Sequence, residues 1–209
     1  AVTTGALSAL SSDQINSLSS DEVANLGTNQ VASLSTAQVK GLTANDMTAL
    51  GTAQVAALNS AQAQALNTDQ LSAIDAGDMK ALTTGALRAL SNAQIDGLTS
   101  DQLRALTTAQ VNSLTTAQIH GLSTDELNEL TSDQFAKLAT GQVQALSASQ
   151  LSHLTTDNLN ALGTGQFAVL TSTQFGALTT DQLSKLETAD LRAVTTGALS
   201  ALSSDQINS

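Results

Sequence analysis

Residues 35–58 read STAQVKGL TANDMTAL GTAQVAAL, three blocks of eight that nearly superimpose. Each block opens on a small polar residue or Gly, carries Val or Met in its fifth slot and closes on Leu. Followed outward in both directions, the block runs from Thr3 to Leu202 as twenty-five octads without an insertion or deletion. The eighth slot is Leu except at Ile74 and Val194, and the fifth is always apolar, with only Ala63 small there. The fourth slot is Gln in sixteen octads. A period this regular decides the architecture before any other feature is weighed.

The spacing selects the backbone. The fifth and eighth slots differ by three, which in a strand would place them on opposite faces, and Gln, Ala and Asp are poor strand formers. Two apolar positions per eight residues give a period of 4.0. An α-helix turns once in about 3.6 residues, so an apolar stripe on one continuous helix would drift around it within a few repeats. One short helix per octad, restarted each time, remains. The first slot is Ser, Thr, Asn, Asp or Gly in 23 of 25 octads, with Ala139 and Glu187 the exceptions. These residues favour the helix N-cap. The fourth-slot Gln, or Glu at Glu22 and Glu126, completes a capping-box pattern three residues on.

Charge gives an independent test, because a helix is positive at its N-terminal end and negative at its C-terminal end. Of 18 acidic residues, 16 occupy slots one, three or four; Asp96 and Glu129 are the exceptions. All seven basic residues, Lys40, Lys80, Arg88, Arg104, Lys137, Lys185 and Arg192, fall in slots six or seven. Acid early and base late in every octad suits short helices and neither alternative. The pattern therefore predicts an all-α solenoid of tandem short capped helices, one per octad; the alternative is a β-solenoid. A helix of about seven residues is marginal alone, so each octad needs neighbours, as in solenoids generally. The preferred packing is two helices per coil, with fifth-slot and eighth-slot side chains between two layers, and three per coil is open. Small seventh-slot residues would let helices approach closely, while Glu129, Lys137, His153, Val169 and Lys185 would face outward or into local gaps.

Residues 1–209 read as a single repeat array, with a longer period laid over the octads. AVTTGALSALSSDQINS, residues 1–17, recurs letter for letter at 193–209, an offset of 192 residues or 24 octads. A weaker echo at 112 residues pairs GTAQVAAL at 51 with GTGQFAVL at 163. Both terminal octads are partial and neither resembles a capping repeat, so the expectation is a window from a longer repetitive protein.

Composition narrows function. With a formal net charge of −11, neither a nucleic-acid phosphate backbone nor an anionic membrane surface is expected as partner. No apolar run approaches the roughly 20 residues of a membrane span. Chemistry-bearing clusters are not found. His120 and His153 lie 33 apart with no companion at metal-ligand spacing. The slot-three acids Asp13, Asp21, Asp125 and Asp133 lack the converging oxygens of a calcium loop. Ser and Thr have no partnered base to make them nucleophiles. The TTGAL stretches at 3, 83 and 195 contain no phosphate-binding loop pattern. Phe135, Phe167, Phe175, Met47 and Met79 all occupy the fifth slot, as core filler. No catalytic, cofactor-binding or metal residue is assigned, no cofactor or small-molecule ligand is expected, and the protein is not expected to be an enzyme.

The blocks LTTAQV, LTSDQL and LSTDEL resemble tandem repeats of very long, Cys-poor, adhesin-like surface proteins of bacteria, whose segments carry adhesion or haem-utilisation labels. The resemblance implies secretion and a stalk, fibre or surface layer; nothing in the sequence resembles a haem axial-ligand pocket. The stretch L-T-x-x-Q-V-x-A-L also resembles the first helix of TAL-effector repeats, but the period of 8 and the acidic charge leave only the manner of starting a helix in common. The expected function is a structural repeat protein forming an extracellular or cell-surface filament, stalk or surface-layer fibre by stacking and self-association. The alternative is an adhesin or ligand-binding segment directed at glycans or ice. The expected partner is the chain itself, as a homopolymer or as further repeats.

Overall fold

The computed structural model describes residues 3–208; Ala1, Val2 and Ser209, which belong to the partial octads, lie outside the described residues. Twenty-six short α-helices, from Thr4–Ser8 to Ser204–Ile207, fill this span, one per octad, with no strand among the described residues. The helical reading holds and the β-solenoid alternative does not.

Most helices start as the repeat predicts, with Glu187 an exception that makes no side-chain cap bond. In octad 35–42, Ser35 is extended (φ −71°, ψ 161°), its Oγ accepts from Gln38 N–H, and its own N–H donates to Gln38 Oε1 at 2.8 Å. Where the first slot offers no side-chain acceptor, half of the box persists. The N–H of Gly27 donates to Gln30 Oε1 at 2.6 Å, and that of Ala139 to Gln142 Oε1 at 2.7 Å. The helix closes as the eighth-slot N–H bonds the fifth-slot carbonyl, for example Leu42 to Val39 at 3.2 Å. The chain then takes extended conformations at Leu42 (φ −66°, ψ 140°) and at Thr43 (φ −82°, ψ 166°). These two residues are the corner, and no residue with positive φ occurs among the described residues.

Two compact units are present, Ala1–Leu114 and Thr115–Ser209. Within each, helices pack on those three octads away. In the first, Ser12–Asn16 packs on Thr36–Gly41, which packs on Ser60–Ala65, which packs on Thr84–Ala89. In the second, Thr116–Gly121 packs on Thr140–Ala145, which packs on Thr164–Phe167, which packs on Thr188–Ala193. A coil is therefore three octads, and the preference for two helices per coil is corrected. A two-helix coil needs a full reversal at each junction, which short helix connections commonly achieve with a left-handed residue after the helix. The extended pair used here turns the chain less, so three corners close a coil.

The apolar slots form the core. Val39, Met47, Leu71, Leu103 and Phe135 in slot five are 0–1 % exposed, and Leu42, Leu50, Leu106 and Leu138 in slot eight 2–5 %. Each fully buried large side chain contributes about 1.5–3 kcal/mol. Slot seven sets the approach of stacked helices. A Cβ on Gly41 would lie 2.6 Å from the Ser12 carbonyl oxygen, and one on Gly97 would lie 2.9 Å from Thr68 Cγ2. The bulky slot-seven residues Lys137, His153 and Lys185 are exposed, and Glu129 and Val169 partly so.

Candidate functional site

The structural feature that recurs with the octad is the corner, and the fourth-slot Gln organises it. Gln62 is 1 % exposed. Its Oε1 accepts from the N–H of Asn59, its own N-cap, at 2.9 Å. Its Nε2 donates to the carbonyls of Val31 and Leu34, each at 2.8 Å. Those carbonyls belong to slots five and eight of the octad 28–31 residues earlier, at the C-terminal end of another helix. The same pair of bonds is made by Gln38 to Leu7 and Leu10, Gln70 to Val39 and Leu42, and Gln110 to Met79 and Leu82. In the second unit, Gln166 bonds Phe135 and Leu138, and Gln182 bonds Leu151 and Leu154.

This geometry follows from the three-helix coil. The corner that opens one octad sits above the corner that closes the octad four before it. A helix leaves its last carbonyls without intrahelical partners, and its first N–H groups likewise. One primary amide, with two donors and an acceptor oxygen, serves both ends. Burying an amide is unfavourable unless it is bonded, and here the acceptor and both N–H groups are engaged.

Departures from Gln mark altered corners. Asp46, 1 % exposed, keeps the cap by accepting from Thr43 N–H and Oγ1, and also accepts from Ser20 Oγ at 3.1 Å. Asp78 accepts from Thr52 Oγ1 in the equivalent position. Asn158 reaches one carbonyl, Leu130, at 3.2 Å. Asp190 is 5 % exposed, and burial first, then repulsion from Glu187, pushes its carboxyl above the ordinary aspartate value. Glu22 is shifted the other way, held below the ordinary glutamate value by the Ser19 backbone N–H first and then the Ser19 hydroxyl. In the TTGAL octads, Ala6, Ala86 and Ala198 leave the slot without an amide.

A second row of links joins slot six of one octad to a slot-seven carbonyl 25 residues later. Thr48 Oγ1 donates to Ala73 O at 3.0 Å, Asn128 Nδ2 to His153 O at 2.8 Å and Asn160 Nδ2 to Lys185 O at 3.0 Å. His120 belongs to this row, its Nδ1 lying 2.8 Å from Ala145 O. His153 instead bonds within its own octad, Nδ1 to Ser149 O at 2.8 Å. The ion pairs Asp101–Arg104 (3.4 Å) and Asp181–Lys185 (3.0 Å) are exposed and worth little individually.

Among the described residues, no group of three or more His, Asp or Glu is placed to hold a metal ion. No helix there is long and apolar enough to cross a membrane. Phe135, Phe167 and Phe175 are fully buried, as their slot predicts. The sequence pattern showed the local role of the fourth-slot Gln and missed its long-range one. A signal was present: a capping box accepts Glu as readily as Gln, so a strong preference for Gln calls for a donor.

No curated protein matches the sequence. The ALTTAQ repeat, by contrast, matches residues 1–28, 42–75, 71–108, 105–140, 158–187 and 183–209, which together cover most of the chain. With the octads tiled along its length and each folded as a stacked helix, the chain is a tandem-repeat protein and belongs to the ALTTAQ repeat family.

Proposed function

We propose that the protein is a non-catalytic structural element, a stalk, filament or surface-layer fibre outside the cell or on its surface, built by stacking of repeats and by self-association. The supporting observation is where its buried polar groups point. The fourth-slot amides, buried at Gln62, Gln70, Gln102 and Gln110 among others, bond the backbone of a neighbouring coil and so serve to hold one coil on the next. Solenoids stabilised between nearest neighbours extend without limit as repeats are added. The net charge of −11 favours solubility of such a polymer. The likeness to bacterial adhesin-like surface repeats supports the extracellular setting.

The reading of the chain as a glycan-binding or ice-binding segment has less support, because first-slot hydroxyls such as those of Thr99, Thr107 and Thr115 accept the first-turn N–H groups of their helices. Electron microscopy of the purified chain tests the proposal. Fibres with an axial repeat of about 8–10 Å, the spacing of packed helices, are expected. Isolated 21.2 kDa particles at all concentrations, together with glycan-array binding or thermal hysteresis, would overturn it.

A further inference from the structure

Only two octads carry acids in both the first and the fourth slot, DAGDMKAL at 75–82 and ETADLRAV at 187–194. In the first, both carboxylates have partners: Asp75 accepts from the Gly77 N–H at 2.7 Å, and Asp78 accepts from Thr52 Oγ1. The second differs. Glu187 opens its helix with no side-chain cap bond. Asp190, only 5 % exposed, accepts from no group among the described residues; what acts on its carboxyl is burial and the charge of Glu187. The basic residue nearest in sequence before them, Lys185, is committed to Asp181 at 3.0 Å.

The rest of that corner is made of oxygens as well. Fourth-slot amides donate to the carbonyls 31 and 28 residues back, Gln166 to Phe135 and Leu138 and Gln182 to Leu151 and Leu154. Asn158, with a side chain the length of aspartate, reaches the carbonyl 28 back at 3.2 Å. The same register sets Asp190 against the carbonyls of Leu159 and Leu162, which receive no side-chain donor. A slot-two hydroxyl 26 residues back touches the fourth slot at Asp46, Asp78 and Asn158, from Ser20, Thr52 and Ser132. Thr164 holds that place for Asp190, and its helix Thr164–Phe167 packs on Thr188–Ala193. Two carboxylates, two carbonyls and a hydroxyl thus share a corner where glutamine elsewhere supplies two N–H groups.

We infer that this corner binds a calcium-type divalent cation, held by the Asp190 and Glu187 carboxylates and the Leu159 and Leu162 carbonyls. Calcium takes oxygen ligands of these kinds, completed by water, and tolerates irregular geometry, whereas magnesium demands a near-ideal octahedron. Zinc prefers nitrogen and sulfur, which the corner lacks. Two positive charges balance two carboxylates, one of them buried without any other partner. The cation does what the two N–H groups of glutamine do at other corners: it ties the start of octad 187–194 to the end of octad 155–162. Both octads belong to one compact unit of one chain, so the site stands whether or not copies of the chain associate.

Calcium chloride titrated into the 209-residue chain tests it, followed by calorimetry and by amide hydrogen exchange. Sodium chloride at about 0.15 M screens diffuse attraction to the acidic surface. One saturable site is expected, with a Kd of about 0.1–1 mM, the range of calcium sites in extracellular modules. Exchange should slow in residues 155–162 and 187–194 and stay unchanged in 75–82. Asp190→Asn, and separately Glu187→Gln at an exposed position, should weaken binding about tenfold or more by removing ligand charge, while circular dichroism shows the helices kept. Asp78→Asn, whose carboxylate already has a partner, should leave binding as it is. Absence of saturable binding would overturn the inference. So would binding that Asp190→Asn leaves intact, or protection that calcium confers outside the two octads, either of which would mean diffuse attraction to the acidic surface.

Discussion

The side-chain nitrogen of Gln102 stands 2.8 Å from the carbonyl oxygen of Leu71, 31 residues earlier in the chain, and 2.7 Å from that of Ile74. At the other end of the same amide, Oε1 accepts from Thr99 N–H at 3.0 Å. A single buried side chain thus starts one helix and finishes another in the coil it stacks upon. Replacing Gln102 by Glu keeps the acceptor, removes both donated bonds and sets a carboxylate against two carbonyls. The expected cost is about 2–4 kcal/mol, from two lost bonds and the partners they leave unsatisfied. Amide hydrogen exchange should accelerate in octads 67–74 and 99–106 before it does elsewhere; uniform protection would count against the bridging role.

Gly41 carries a packing prediction. An added Cβ would meet the Ser12 backbone carbonyl oxygen at 2.6 Å, an atom that cannot swing aside. Gly41→Ala would otherwise favour a helix. Here the forced separation of stacked helices should destabilise by about 1–3 kcal/mol, as overpacking does. Gly141→Ala, where a Cβ meets nothing within 4 Å, is the control and should be neutral or slightly stabilising. Urea denaturation of the two variants measures the difference.

Core truncation should follow slot five. Phe135 is fully buried, and Phe135→Ala is expected to cost about 3–5 kcal/mol through lost burial and the cavity left. Ser172→Ala, at the corresponding exposed second-slot position of a later octad, should change stability by less than about 0.5 kcal/mol. Thermal melts of both variants decide it.

Asp190 predicts a pH dependence. Its folded-state value is raised, by burial and then by Glu187, so the folded chain holds the proton more tightly than the unfolded one. Its contribution is most favourable below the ordinary aspartate value and is lost as pH rises through the raised folded value. Asp190→Asn should therefore stabilise the chain at neutral pH, with the advantage fading in acid. Glu22, shifted downward by Ser19, has the opposite sign: its contribution is present above the ordinary glutamate value and lost as pH falls through the lowered one. Melting temperatures of the parent, Asp190→Asn and Glu22→Gln chains across acid to neutral pH separate the two.

The helices and their caps were legible in the sequence because both are local. Ser35 and Gln38 lie three residues apart, and their reciprocal bonds need nothing beyond one octad. The coil was less legible. Every octad has nearly the same corner, so no sequence period of 24 residues is needed to make three helices per coil. The 192-residue duplication is a whole number of two-helix and of three-helix coils alike, and so could not choose between them. The angle is set by the extended pair Leu42–Thr43 and its counterparts, whose conformations leave no residue signature comparable to a Gly or Pro turn. The distant partners of Gln38, Leu7 and Leu10, are ordinary fifth-slot and eighth-slot residues whose backbone, not side chain, is recognised. No pattern of residue types could mark them.

The three-octad coil is the claim on which the corner depends, and paired cysteine cross-linking tests it most directly, since the chain has no native Cys. Ala37, Ala53 and Ala61 are exposed third-slot residues. Cysteines at 37 and 61 lie on helices Thr36–Gly41 and Ser60–Ala65, which pack together, while 37 and 53 are two octads apart. A bismaleimide spanning about 8–10 Å, the distance between packed helices, should join 37 to 61 efficiently and leave 37 and 53 unjoined. Efficient joining of 37 to 53 without joining of 37 to 61 would contradict the three-helix coil and the Gln-bridged corner built on it.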